Sequence, residues 1–109
     1  MAKNYFENIL IVQKLLDRRT LLEGLAEEAA ELSQAALKLI RAEKMNSNVT
    51  PVDAVEAENQ LLEEIADVQC YLNVLELNYQ RSVFMNILVE QKMQRWVERL
   101  ESVENEKES

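Results

Sequence analysis

The chain has 109 residues, which allows one domain with a modest core, and 48% of them are hydrophobic while Gly and Pro occur once each. Because turn-forming residues are this scarce, a fold of many short strands is disfavoured and the chain is predicted to be all-α. The formal net charge of −8, with no basic stripe, argues against a nucleic-acid duplex or an anionic membrane surface as a partner.

Targeting signals are also missing from the sequence. No apolar run approaches the roughly 18 to 20 residues that a membrane span requires, and the first residues lack the pattern of a signal peptide. The one cysteine, Cys70, permits no internal disulfide, which is typical of a reducing compartment, and its apolar neighbours predict a small buried side chain. We therefore expect a cytoplasmic protein.

Two amphipathic helices are predicted in the first part of the chain. The first has apolar residues at spacings of three and four and is expected to end near Arg18 or Arg19. The second is predicted to begin with a capping box formed by Thr20 and Glu23 and to run to about Glu43.

A loop over residues 45–49 separates these helices from the second part of the chain. Thr50 as N-cap, Pro51 at the first helical position and Asp53 at the third predict the start of a long third helix. This helix is expected to continue without a break to about Asn78.

The fourth helix is predicted to begin at a Ser82 cap and to carry apolar residues to Leu100, with Trp96 in the core. An acidic tail over about residues 101–109 is expected to fray. Short connections between four helices are typical of a helical bundle, so residues 1–109 are predicted to form a single domain.

Carboxylates occupy positions in two of these helices where core side chains are expected. At about 100° per residue, Glu28 falls inside the apolar stripe of the second helix, and Glu64 takes the matching place in the third. Glu31 and Asp67 lie one turn further along. The two apolar seams read Leu21, Leu25, Glu28, Leu32, Ala35, Leu39 and Leu61, Glu64, Val68, Tyr71, Leu75.

Ionised carboxylates that meet in apolar surroundings require cations to balance them. Lys38 and Arg41 lie further along the second helix, and residues 50–78 contain no Lys or Arg. The chain has no His and one Cys, so the usual ligands of zinc, copper and iron are scarce and an oxygen-only site favours Mg²⁺, with Mn²⁺ as the second candidate. Because Mg²⁺ is typically completed by water and substrate phosphates, such a site indicates phosphoanhydride chemistry.

Two other interpretations remain open at this point. Glu-rich helices contain E-x-x-E patterns by chance, so the carboxylates can also form a solvated acidic face. The acidity and small size also fit a non-catalytic helical interaction module, or a protein that binds nucleotides without cutting them.

The two acidic segments nevertheless resemble the signature of a known family. Glu27-Glu-Ala-Ala-Glu-Leu-Ser-Gln-Ala-Ala and Glu63-Glu-Ile-Ala-Asp-Val are similar to the paired motifs of the MazG-like all-alpha nucleoside triphosphate pyrophosphohydrolases, which are related to dimeric dUTPases. The resemblance covers about residues 9–100. The stretch between the motifs, which includes residues 45–53, is longer than the family pattern.

This resemblance implies a four-helix bundle that assembles as a homodimer or homotetramer. It implies a Mg²⁺-dependent enzyme that hydrolyses nucleoside triphosphates to monophosphates and pyrophosphate, an activity suited to house-cleaning of the nucleotide pool. The implied catalytic and metal-binding residues are Glu28, Glu31, Glu64 and Asp67. A later segment similar to the family's basic last helix implies Lys92 and Arg95 as ligands of the substrate phosphates, and the first helix, with Gln13, as a candidate contact for the base.

Overall fold

The computed structural model describes residues 2–43, 53–78 and 82–108, and these residues form four α-helices with no strand among them. The prediction of an all-α chain is confirmed. The helices are α1 (Tyr5–Leu15), α2 (Arg18–Ala42), α3 (Ala54–Val74) and α4 (Ser82–Glu108). The predicted loop over residues 45–49 and the predicted roles of Thr50 and Pro51 lie outside the described residues.

The junction between α1 and α2 differs from the prediction. The side chain of Asp17 accepts a hydrogen bond from the Thr20 N–H at 2.8 Å, so Asp17 is the N-cap and α2 begins at Arg18. Interactions with Thr20, that of its side chain first and that of its backbone N–H second, lower the pKa of the Asp17 carboxyl group. The predicted start at Thr20 is wrong, because the Asp17 carboxylate, three residues earlier, caps the helix by accepting a hydrogen bond from the Thr20 backbone N–H. Glu23 pairs instead with Arg19, at 3.0 Å.

The helix α3 is also shorter than predicted. Asp53 is its N-cap rather than its third residue, and the helix ends at Val74 instead of Asn78. Glu76 has a φ of 61°, in the left-handed region, a conformation that is typical of residues just after the end of a helix. The side-chain amide of Gln13 donates a hydrogen bond to the Val74 carbonyl oxygen at 2.9 Å, so α1 satisfies one of the carbonyl groups left open at this helix end.

In the unit formed by residues 1–76, α2 and α1 each pack against α3. The cross-helix neighbours show that α2 and α3 run antiparallel: Gly24 lies against Tyr71, and Lys38 Nζ donates to Gln60 Oε1 at 3.2 Å. Every residue of the two predicted seams is buried or half-buried, which confirms the helical phase assigned to both helices. The buried apolar residues in the described part of the chain are Leu21, Ala57 and Leu75.

The second unit, residues 77–109, contains α4. The helix α4 continues through Glu108 in a segment rich in good helix formers, and the fraying expected of this tail stays a prediction. Trp96, expected in the core, is 54% exposed, and Cys70 on α3 is exposed rather than buried. The organisation of the chain as a single domain stays a prediction. None of the described helices is long and apolar enough to cross a membrane.

Candidate metal centre

The candidate site lies on the facing sides of α2 and α3. Glu28 on α2 and Glu64 with Asp67 on α3 each offer a carboxylate oxygen, and these three oxygens lie within 4.8 Å of one another. The antiparallel pairing brings them together because Glu28 is four residues after Gly24, while Asp67 is four residues before Tyr71. The structure thus unites three of the four carboxylates named from the sequence.

Two buried oxygen atoms in this cluster have no protein partner. Glu28 Oε2 and Glu64 Oε2 are inaccessible to solvent and accept no hydrogen bond from the described residues. Both side chains are half-buried, as their seam positions predict, whereas Asp67 is exposed. A buried carboxylate oxygen without a donor is unfavourable, so a cation or a proton is the expected partner for each.

Burial and mutual repulsion shift the pKa values at this site upward. Burial raises the pKa of Glu28 to about 7, and the neighbouring carboxyl groups of Glu31, Asp67 and Glu64 add to the shift. Burial also raises the pKa of Glu64, again with contributions from Glu31 and Asp67. In the absence of a cation, therefore, the cluster retains a proton near neutral pH.

Glu31 stands at the edge of this cluster. It is exposed and falls outside the group of three oxygens, but its proximity helps to raise the pKa of Glu28 and that of Glu64. The arrangement places Glu31 next to the three convergent carboxylates rather than among them.

The donor set of the cluster fits a hard divalent cation. Three carboxylates supply oxygen ligands only, and the two oxygens without a partner, on Glu28 and Glu64, are available to an ion. Zinc, copper and iron favour nitrogen or sulfur ligands, and the chain has no His. Exposed acidic groups are common without an ion, so the two buried oxygens are the observation that separates this cluster from an ordinary acidic surface.

Gly24 on α2 and Tyr71 on α3 are in close contact one helical turn from the cluster. The sequence analysis did not predict this contact. A Cβ atom on residue 24 would overlap the ring carbons and the hydroxyl group of Tyr71. The ring therefore lies on the bare backbone of α2, one turn from Glu28. The signal that could have identified this contact is the only glycine of the chain, inside a helix and buried.

Lys92 and Arg95 lie together on α4, in the second unit. They line a groove of about 750 Å³ along that helix with Trp96 and Arg99, and all four side chains are exposed. Their predicted role as phosphate ligands stays a prediction. Gln13, by contrast, is engaged at the end of α3, where it also donates to Glu76 Oε1 at 3.3 Å.

Comparisons of the chain with protein-family models, with curated proteins and with solved structures give no match.

Proposed function

We propose that the protein is a Mg²⁺-dependent nucleoside triphosphate pyrophosphohydrolase. The observation that carries the proposal is the convergence of Glu28, Glu64 and Asp67, with two buried oxygens that lack a hydrogen-bond donor. A cluster of this kind is suited to Mg²⁺, or to Mn²⁺, and an ion held by few carboxylates retains positions for water and phosphate oxygens. The resemblance of the two acidic motifs to the MazG-like enzymes supports a nucleotide as the source of that phosphate.

The proposed reaction is the attack of water on the α-phosphate of a nucleoside triphosphate. A bond forms from the water oxygen to the α-phosphorus, the bond to the α,β-bridging oxygen breaks, and the products are a nucleoside monophosphate, pyrophosphate and a proton. When bound, Mg²⁺ supplies charge neutralisation for the phosphates and lowers the pKa of a coordinated water.

The carboxylates of this chain have distinct roles in the proposal. Glu28, Glu64 and Asp67 hold the ion, and Glu31, at the edge of the cluster, is a further ligand. Lys92 and Arg95 remain candidates for contacts with the substrate phosphates, because the resemblance assigns them that role.

The proposal extends to a homodimeric or homotetrameric four-helix bundle in the cytoplasm, where nucleoside triphosphates are available. An exposed apolar stripe on α3 supports an assembly, since Leu62 is 57% exposed and the smaller Ala66 and Cys70, also exposed, follow it at intervals of four residues. A chain of this size also has little core of its own. Sedimentation analysis of the purified protein should show a species of two or four chains, and a monomer at all concentrations would contradict this part of the proposal.

The decisive experiment measures pyrophosphate release from a panel of canonical and modified nucleoside triphosphates in the presence of Mg²⁺. We expect release from at least one substrate, and a loss of about a hundredfold or more in the variants Glu64→Gln and Asp67→Asn. Glu58→Gln is the matched control, because this exposed residue of α3 lies outside the cluster and its variant should retain full activity.

The absence of pyrophosphate release from every triphosphate would reject the enzyme. Direct titration with the same nucleotides would then separate the two remaining interpretations. Binding without turnover would identify a nucleotide-binding module, and no binding would favour a helical interaction protein.

A further inference from the structure

A groove of about 780 Å³ extends from the acidic cluster along α2 and α3. Glu31 and Glu64 line one part of it, and Lys38 and Arg41 line another, with Gln60 opposite Lys38. Its volume is in the range of small-molecule sites. The groove therefore joins the candidate metal centre to the two half-buried basic side chains of α2.

The helix geometry gives the direction of this groove. Lys38 is seven residues after Glu31, which is two turns and about 10 Å along the same face of α2. Gln60 is four residues before Glu64 on the antiparallel α3, so it follows the same direction away from the cluster. Long side chains on a helix lean toward its N-terminus, which tilts the Lys38 and Arg41 side chains back toward the carboxylates.

The two cations are not neutralised by carboxylates within the described residues. Lys38 donates to the neutral amide oxygen of Gln60 at 3.2 Å, and neither described ion pair, Arg19 with Glu23 or Lys107 with Glu104, involves Lys38 or Arg41. A phosphate group is a stronger acceptor for an ammonium group than a neutral amide is. An anionic ligand can therefore replace Gln60 as the partner of Lys38.

We propose that Lys38 and Arg41 bind the β- and γ-phosphates of the substrate, and hence the pyrophosphate product, in the groove next to the carboxylate cluster. The inference rests on the proposed function and deepens it, since it assigns the leaving group to α2. The α-phosphate then lies at the acidic end of the groove and the more highly charged end of the triphosphate lies beside the two cations. Nucleoside triphosphates are preferred over monophosphates because only the former reach Lys38 and Arg41.

The test is calorimetric titration of the full chain with inorganic pyrophosphate in the presence of Mg²⁺. The double variant Lys38→Gln/Arg41→Gln should bind pyrophosphate at least about a hundredfold more weakly than the unaltered protein, since each charge-assisted hydrogen bond accounts for about tenfold. Its affinity for Mg²⁺ alone should be unchanged or slightly higher. Lys14→Gln/Arg18→Gln, which removes two exposed cations outside the groove, is the control with equal charge change.

A second variant separates binding from folding. Lys38→Arg keeps a cation and a donor for Gln60, so it should retain pyrophosphate binding, while helix content by circular dichroism checks that each variant is folded. Affinity for pyrophosphate in the double variant equal to that of the control would overturn the inference, and so would an unaltered protein that binds no pyrophosphate. If the unaltered protein hydrolyses triphosphates while the double variant keeps its KM, only this assignment fails and the proposed function stands.

Discussion

The ring of Tyr71 lies against the backbone of α2 at Gly24, where a Cβ atom would overlap it. This contact fixes the antiparallel pairing of α2 and α3 one turn from the carboxylate cluster. A larger residue at position 24 must displace the Tyr71 ring. We expect this displacement to disturb the packing of α2 on α3 next to Glu28.

Gly24→Ala should therefore lower the free energy of unfolding by about 1 to 3 kcal/mol, the usual cost of overpacking. The sign of this change in the free energy of unfolding is informative. Without the overlap, alanine in a helix interior would be more stabilising than glycine by roughly 1 kcal/mol. Urea denaturation followed by circular dichroism measures the change. In the double variant Gly24→Ala/Tyr71→Ala the two effects should not add, and additive effects would show that the ring is not the obstacle.

The hydrogen bond from Gln13 to the Val74 carbonyl oxygen connects α1 to the end of α3. Gln13→Ala should lower the free energy of unfolding by about 1 kcal/mol, since a half-buried carbonyl group loses its donor. Gln94→Ala is the matched control, because Gln94 makes an exposed hydrogen bond to Glu98 within one helix and its loss costs about 0.3 kcal/mol. Equal losses in the two variants would contradict the role of Gln13 at the helix end.

Much of the fold could be predicted from periodicity, which is a local property of the sequence. The phase of α2 and α3 placed Glu28 and Glu64 among core positions, and both are half-buried in the structure. Cap positions were less accurate, because Asp17 and Thr20 are both suitable caps and only the backbone geometry decides between them. At the early end of α3, the Val74 carbonyl oxygen accepts a hydrogen bond from Gln13, which is 61 residues away, so the local sequence carries no signal of this contact.

The site was likewise predictable in part. The two acidic motifs could be expected to meet, because each places a carboxylate in the apolar seam of its helix. The position of Glu31 at the edge of the cluster could not, because it depends on the rotation of α2 about its axis. The groove with Lys38 and Arg41 was missed, because the sequence shows that these residues follow Glu31 without showing that α3 closes the other side.

The exposed thiol of Cys70 reports on the proposed assembly. Leu62, Ala66 and Cys70 lie on one stripe of α3, and all three are exposed in the single chain. If this stripe is the contact between subunits, the rate of Cys70 modification by a thiol reagent should fall as the protein concentration rises through the association range. A rate that is independent of concentration, in a protein shown by sedimentation to associate, would place the contact elsewhere.

Mg²⁺ binding should depend on pH through Glu28, whose pKa is raised to about 7. The ion requires the deprotonated carboxylate, so the affinity for Mg²⁺ should be about tenfold lower at pH 6 than at pH 8, with proton release on binding near neutral pH. Calorimetric titrations in two buffers with different ionisation enthalpies measure the released protons. In Glu58→Gln the dependence should persist, whereas an affinity that does not change between pH 6 and pH 8 would show that Glu28 is not a ligand.

The same raised pKa predicts an unusual effect of pH on stability without metal. The folded chain binds the Glu28 proton more tightly than the unfolded chain, so this contribution to stability is fully present below about pH 4.5 and is lost as the pH rises through about 7. Glu28→Gln removes the charge while keeping the shape. The metal-free variant should therefore have a higher Tm than the unaltered protein at pH 8 and a similar Tm at pH 5.

Addition of Mg²⁺ should reverse this order at pH 8. The ion binds the folded form of the unaltered protein and raises its Tm, whereas Glu28→Gln has lost a charged ligand and should respond weakly. Opposite effects of one substitution, on the Tm of the metal-free protein and on its response to Mg²⁺, are expected of a side chain retained for binding at a cost in stability. A Glu28→Gln protein that is less stable than the unaltered chain at pH 8 without metal would instead show that the Glu28 carboxylate contributes to folding through a contact of its own.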